Sequence, residues 1–428
     1  MSTRHLFWLV LAGFALSGCH ARSSRSDEAR EICLAEPSDG SPLDEAIRQY
    51  QGQARKLPTK PEQWLLVGRG WVRKARASSD PGFYINVRGC ADEALHVDPG
   101  NIAALNLSAL TLMNDHRFGE ARKVAEETLT KQPTDTIALG TLSDSLLELG
   151  RFDEASATAQ RMVDLRPDMA SYSRAAYFRW LEGDGANAKL FMRYALNGRD
   201  MHDPEPAAWT FVQAATIYWN EGDYEGADSV FAEALTWMPD YPSALTGRAR
   251  VALSRGQPKK AIEYLEKAHR INPLPETAWL LGDARDMLGD AAGARTEYDR
   301  VVRDGRKIDR LTLALFYATK NREADEAVRL IEAERAVRGG IYVDDAYAWA
   351  LYRTGRIAEA RAASDRALRL HTRDARLLYH AGVIRLAGGE PQGRDLVRQA
   401  LQLNPTFDWT AAAEAERMLD DAKPSPAH

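Results

Sequence analysis

Cysteine is scarce in this chain: three in 428 residues, at Cys19, Cys33 and Cys90, with no C-x-x-C pair. Long apolar runs are missing as well. The run Leu6 to Leu16 is about 11 residues, short of the roughly 20 that a membrane-crossing helix needs. There is no H-E-x-x-H, no P-loop and no G-x-S-x-G. The nine histidines are scattered without a pair at metal-ligand spacing, and His371 and His380 read as surface or core histidines. Neither charge sign dominates, with 56 Lys and Arg against 61 Asp and Glu and a net charge of −5. That mild acidity argues against nucleic acid as a main partner, which needs a concentrated basic surface. The expectation is no enzyme, no metal and no cofactor.

What is present begins with "MSTRHLFWLVLAGFALSGCHARSS". Arg4, then a short apolar run, then small residues before Cys19 have the layout of a secretory signal. The closing "LSGC" resembles the lipobox of bacterial lipoproteins. The resemblance implies cleavage after residue 18 and acylation of Cys19, where several acyl chains anchor a soluble domain that one chain would hold only marginally. His20 follows the cysteine, and the sorting rule of that family then implies the outer membrane, periplasmic face. The alternative is an ordinary signal peptide with a chance cysteine. Residues 19–40 read as the lipidated cysteine and a flexible tether, residues 41–60 as an N-terminal covering helix, and 422–428 as a frayed tail.

With Cys19 assigned to lipid, Cys33 and Cys90 remain as an even pair. In an oxidising compartment they are a disulfide candidate, worth about 4 kcal/mol in the chain-entropy model; two buried free thiols are the alternative.

A repeat dominates residues 61–408. Ala121, Ala155, Ala188, Ala227, Ala261, Ala294, Ala327 and Ala360 recur every 33 or 34 residues, with one step of 39 between Ala188 and Ala227, and Gly393 continues the series. Each unit reads as two short amphipathic helices. Turn glycines such as Gly150, Gly183, Gly222, Gly256, Gly289, Gly355 and Gly388 end the first helix, and Pro99, Pro133, Pro167, Pro239, Pro273 and Pro405 end the second. Two units depart from the pattern. Those of Ala294 and Ala327 carry Arg306 and Gly339 near the place of the terminal proline, and Leu315 interrupts the small residues expected where helices cross, which implies a splayed repeat there.

This pattern resembles the tetratricopeptide repeat, a helix–turn–helix unit of about 34 residues. The resemblance implies an all-α, right-handed solenoid of about ten repeats, closed by a polar-faced capping helix at residues 409–421. It also implies that the first helix of each unit lines a concave groove. Counting from the marker alanines puts Tyr177, Trp180, Trp209, Trp219, Trp279, Asp283, Phe316, Trp349 and Tyr352 at groove places, with Tyr342, Asp345 and Arg353 beside them. Tryptophan, tyrosine and arginine dominate binding hot spots, so these residues are the candidate partner site; the alternative is that they pack against the next repeat.

The functional expectation is a lipid-anchored periplasmic scaffold. Its groove would bind a protein or peptide partner in cell-envelope assembly. Two other classes stay open: a chaperone or carrier for unfolded clients, and an accessory subunit binding a cell-wall glycan.

Overall fold

The computed structural model describes residues 27–38, 40–199 and 203–420. Cys19, the leader and residues 422–428 lie outside them. Among the described residues the regular structure is helical, and no helix is long and apolar enough to cross a membrane. The chain divides into two compact units at Leu142/Ser143.

In the first unit the helices Pro42–Lys56, Pro61–Ser78, Tyr84–Val97, Ile102–Asn114 and Phe118–Lys131 pack in sequence order. Part of the stretch read as a tether is folded: residues 27–33 are helical and Cys33 is fully buried. Cys33 is disulfide-bonded to Cys90, with Cα atoms 4.7 Å apart. The Cys33 carbonyl also accepts from Trp71 Nε1 at 3.0 Å. Around this knot sit Trp64, Trp71, Ile47 and Val87, each at most 1 % exposed. Lys74 and Asp44 form an ion pair of 2.6 Å inside the same core; each neutralises a charge that would be costly to bury alone.

The second unit is a solenoid of helix hairpins. Its pairs run from Met169–Leu181 with Gly185–Asn197, through Pro204–Asn220 with Tyr224–Trp237, to Ala375–Ala387 with Gly393–Leu403, followed by Trp409–Asp420. The marker alanines are all at most 2 % exposed, as fits small residues where two helices pack closely. Proline sets the ends of the second helices in both units. Those helices stop at Val97, Lys131, Leu165, Trp237, Ile271 and Leu403, each two residues before a proline, where the preceding residue is barred from the helical region. Without that stop, Ala291–Ile308 runs to 18 residues. The following helix, Arg310–Thr319, is only 10 residues long and buries Ala314, not Leu315, so its face is turned by one residue from the expected register. One turn glycine is also corrected: Gly389 has positive φ, not Gly388.

The solenoid of the second unit coils back on itself. The Gly339 N–H donates to the Glu148 carbonyl at 2.7 Å. Thr372 Oγ1 donates to the Leu181 carbonyl, and Asn404 Nδ2 to the Trp219 carbonyl at 2.8 Å, across 191 and 185 residues. At this seam glycine is required twice over. Gly183 has φ +78°, and a Cβ there would lie 2.5 Å from the His371 carbonyl oxygen; at Gly222 it would lie 2.9 Å from that of Leu403. Gly289 has the same φ, +77°, and open space around it.

This contrast separates backbone strain from closure. Gly289→Ala should cost about 1–2 kcal/mol, the left-handed penalty alone, and Gly183→Ala about twice that because the seam must also part. Urea unfolding of the two variants checks it, and equal losses would contradict the seam.

Candidate ligand cavity

Coiling turns the concave side of the second unit into a cavity of about 470 Å³. Successive first helices wall it. Tyr177 and Trp180 come from Met169–Leu181, Trp219 from Pro204–Asn220, Trp279 and Asp283 from Pro275–Met287, and Tyr342, Trp349 and Arg353 from Ile341–Arg353. Spacings of three and four residues put such pairs on one helix face. The far wall comes from one superhelical turn later: Arg376, Tyr379 and His380, with Phe407, Trp409 and Glu414 from the chain's end.

Six of the nine expected groove residues therefore line the cavity: Tyr177, Trp180, Trp219, Trp279, Asp283 and Trp349. Three do not. Trp209 is 43 % exposed and outside it. It precedes Trp219 by ten residues, which on an α-helix is about 15 Å along the axis and about 80° around it. Phe316 is fully buried, its ring 5.4 Å from those of Trp279 and Tyr298. The one-residue turn of its helix presents Thr312, Leu315 and Thr319 to the cavity instead. Tyr352 stands behind Trp349, stacked on it at 4.9 Å. Counting within the repeat missed Arg250, Arg376, Tyr379 and Trp409; the last three reach the cavity only because the solenoid closes.

The ring faces are largely occupied. Trp180 carries Tyr177 at 5.9 Å and Tyr342 at 6.3 Å. Trp349 carries Tyr352 and His380, the latter at 4.0 Å, with the Arg353 guanidinium 4.4 Å from its centroid, and Arg250 lies over Trp219 at 5.5 Å. Trp279 meets Phe316 edge to face, and among the described residues no ring is stacked on Trp279 or Trp409. The indole N–H groups of Trp180, Trp279, Trp349 and Trp409 are buried with no protein acceptor. Folded proteins leave few such groups, and here four gather round one cavity.

The charges compensate one another. Asp283 accepts from Lys320 Nζ at 2.6 Å and Tyr298 OH at 2.7 Å, yet burial pushes its carboxyl up to about 6, with Asp408 adding to the rise and Lys320 opposing it. Arg250 pairs with Glu276; burial and the neighbouring Arg376 push it down to about 10. Burial raises Tyr177 and Tyr342. His380 Nδ1 lies 2.9 Å from Asp345 Oδ1, both side chains buried. Among the described residues no group of side chains is arranged to hold a metal ion.

Fold and cavity together define a helical-repeat protein with a cavity on its concave face. Models of the tetratricopeptide repeat match residues 112–177, 218–268 and 346–406. No curated protein matches it. Among solved structures, Pseudomonas aeruginosa PilF is similar at 20% identity over 49% of this chain and 95% of that one, with a TM-score of 0.36. Human IFIT1 in complex with PPP-AAAA is similar at 13% identity over 89% and 94%, TM-score 0.48. Yeast Tom70 is similar at 14% over 90% and 98%, TM-score 0.37. At these identities and scores the likenesses carry nothing about what this chain binds.

Asp283 supplies a pH signature. A carboxyl with its folded pKa raised to about 6 contributes stability fully present below its unfolded value and lost as pH rises through 6. Wild type should lose about 3 kcal/mol relative to Asp283→Asn between about pH 4 and 6.5, with little change above; the depressed His269 titrates in both proteins and cancels. Urea unfolding across that range checks it, and a pH-independent difference would contradict the buried charge.

Proposed function

We propose that the chain is a lipid-anchored periplasmic scaffold that seats a short extended segment of a protein partner in the cavity of its second unit, in the service of cell-envelope assembly. The cavity carries this reading. A volume of about 470 Å³ lies within the range of specific binding sites. An extended segment of a few residues fits. Its wall is rich in tryptophan, tyrosine and arginine, the residues that bury most area at least entropy cost. The absence of any recognised nucleophile, metal site or phosphate loop in the sequence favours binding over catalysis.

The anchor rests on "LSGC" and on Cys19. Cys19→Ser should move the protein from the membrane fraction to the soluble fraction and abolish incorporation of labelled fatty acid. Retention of both label and membrane association would sink the anchor.

The partner reading is tested by a photo-crosslinking residue at Gln213, which lines the cavity, used in intact envelopes. One dominant polypeptide adduct is expected, reduced about tenfold or more by Trp279→Ala. An adduct indifferent to Trp279, or one that is glycan, would overturn the reading.

A further inference from the structure

The cavity's hydrogen-bonding and charge pattern narrows the chemistry of its occupant; this rests on the reading that the occupant is a peptide segment. Four of the five carboxylates in the wall already hold at least one donor. Asp374 Oδ1 takes the N–H groups of Arg376 and Leu377 at 2.9 and 3.3 Å, and Asp408 Oδ1 those of Thr410 and Ala411 at 2.9 and 2.8 Å. Glu276 pairs with Arg250, and Asp283 holds Lys320 and Tyr298.

Two arginines, by contrast, keep uncommitted donors. The Arg376 side chain lines the cavity and makes no hydrogen bond to the protein; its nearest carboxylate is Asp345 at 3.7 Å. Arg353 commits only Nε, to the Ala318 carbonyl at 2.8 Å. A ligand rich in acceptors and poor in donors therefore suits the site. A saccharide, with a donor on every hydroxyl, suits it less.

Nor does the site call for an anion. Three arginines face five carboxylates among the lining side chains, and Asp374, Asp345 and Asp408 all reinforce the charge of Arg376. Trp279 and Trp409 line the cavity, and among the described residues no aromatic ring is stacked on either.

Proline meets all of these conditions. It has no backbone N–H, so a run of prolines offers carbonyl acceptors without donors. Such a run is uncharged, holds an extended polyproline II form at little entropic cost, and docks on aromatic surfaces by its rings. We propose that the segment seated in the cavity is uncharged and proline-rich, its pyrrolidine rings laid on Trp279 and Trp409 and its carbonyl oxygens accepting from Arg376 and Arg353.

Calorimetric titration of the full chain with acetyl-hexaproline-amide tests this, against a capped Gly-Ser hexapeptide, capped hexaglutamate and maltohexaose. Hexaproline should bind saturably and the other three at least tenfold more weakly. Trp279→Ala and Trp409→Ala should each weaken it about tenfold or more, Arg376→Gln by about tenfold, and Trp279→Phe, which keeps a ring, by much less. Unchanged thermal unfolding identifies the variants that remain folded, and Trp279→Phe keeps the test decisive if Trp279→Ala does not. Equal, Trp279-dependent binding of the Gly-Ser peptide would overturn the proline assignment and leave the peptide reading standing. Tighter binding of hexaglutamate would overturn the uncharged segment. Binding of maltohexaose alone, or of no probe, would overturn both the inference and the reading beneath it.

Discussion

Everything distinctive about the second unit depends on one close approach of backbone to backbone. Where the helix Met169–Leu181 ends, Gly183 lies against the His371 carbonyl; a repeat later Gly222 lies against that of Leu403. These contacts leave no room for a Cβ, and they are made between segments more than 180 residues apart. The turn glycine was already needed for its positive φ, which is local. At the seam the same atom-poor residue also lets one superhelical turn rest on the next. Gly150 shares this role against Gly339 and Gly340, while Gly256, Gly289, Gly355 and Gly389 face open space, so the seam joins the earlier repeats of the unit to its later ones.

Closure brings the later repeats into the wall of the concave side. Partial enclosure raises the energy of the unpaired polar groups there. Desolvation pushes the carboxyl of Asp283 up to about 6, and the four indole donors and Nε of Arg376 stand in the same wall without acceptors. Those groups set what the occupant must supply. The carboxylates of Asp374, Asp408, Glu276 and Asp283 contribute less, because helix N-termini and neighbouring cations already use them.

The first unit is built on a different constraint. Its helical start, residues 27–33, is held by the Cys33–Cys90 bond, by the bond from Trp71 to the Cys33 carbonyl, and by Arg30 to Glu93 at 3.0 Å. A disulfide closing a loop of 57 residues stabilises by about 4 kcal/mol in the chain-entropy model. That is comparable to the whole margin of a small domain. A segment too short to form a stable helix alone is thereby made part of the fold.

By itself the sequence determined the period, the helix pairs, the crossing alanines and most helix ends, because each depends on interactions within about 34 residues. Alanine at a crossing and proline after a helix act through local sterics, which the order of residues displays directly. The tryptophans of the concave side were legible for the same reason, since Trp180, Trp219, Trp279 and Trp349 follow the repeat. What only the tertiary structure decided is what local spacing does not carry. The turned register of Arg310–Thr319 buried Phe316 and put Leu315 at the cavity. Arg376, Tyr379 and Trp409 reached the cavity from a later turn of the coil. Which glycine faces a carbonyl and which faces solvent is a matter of superhelical pitch, the sum of small rotations at many helix crossings, and no single repeat contains it.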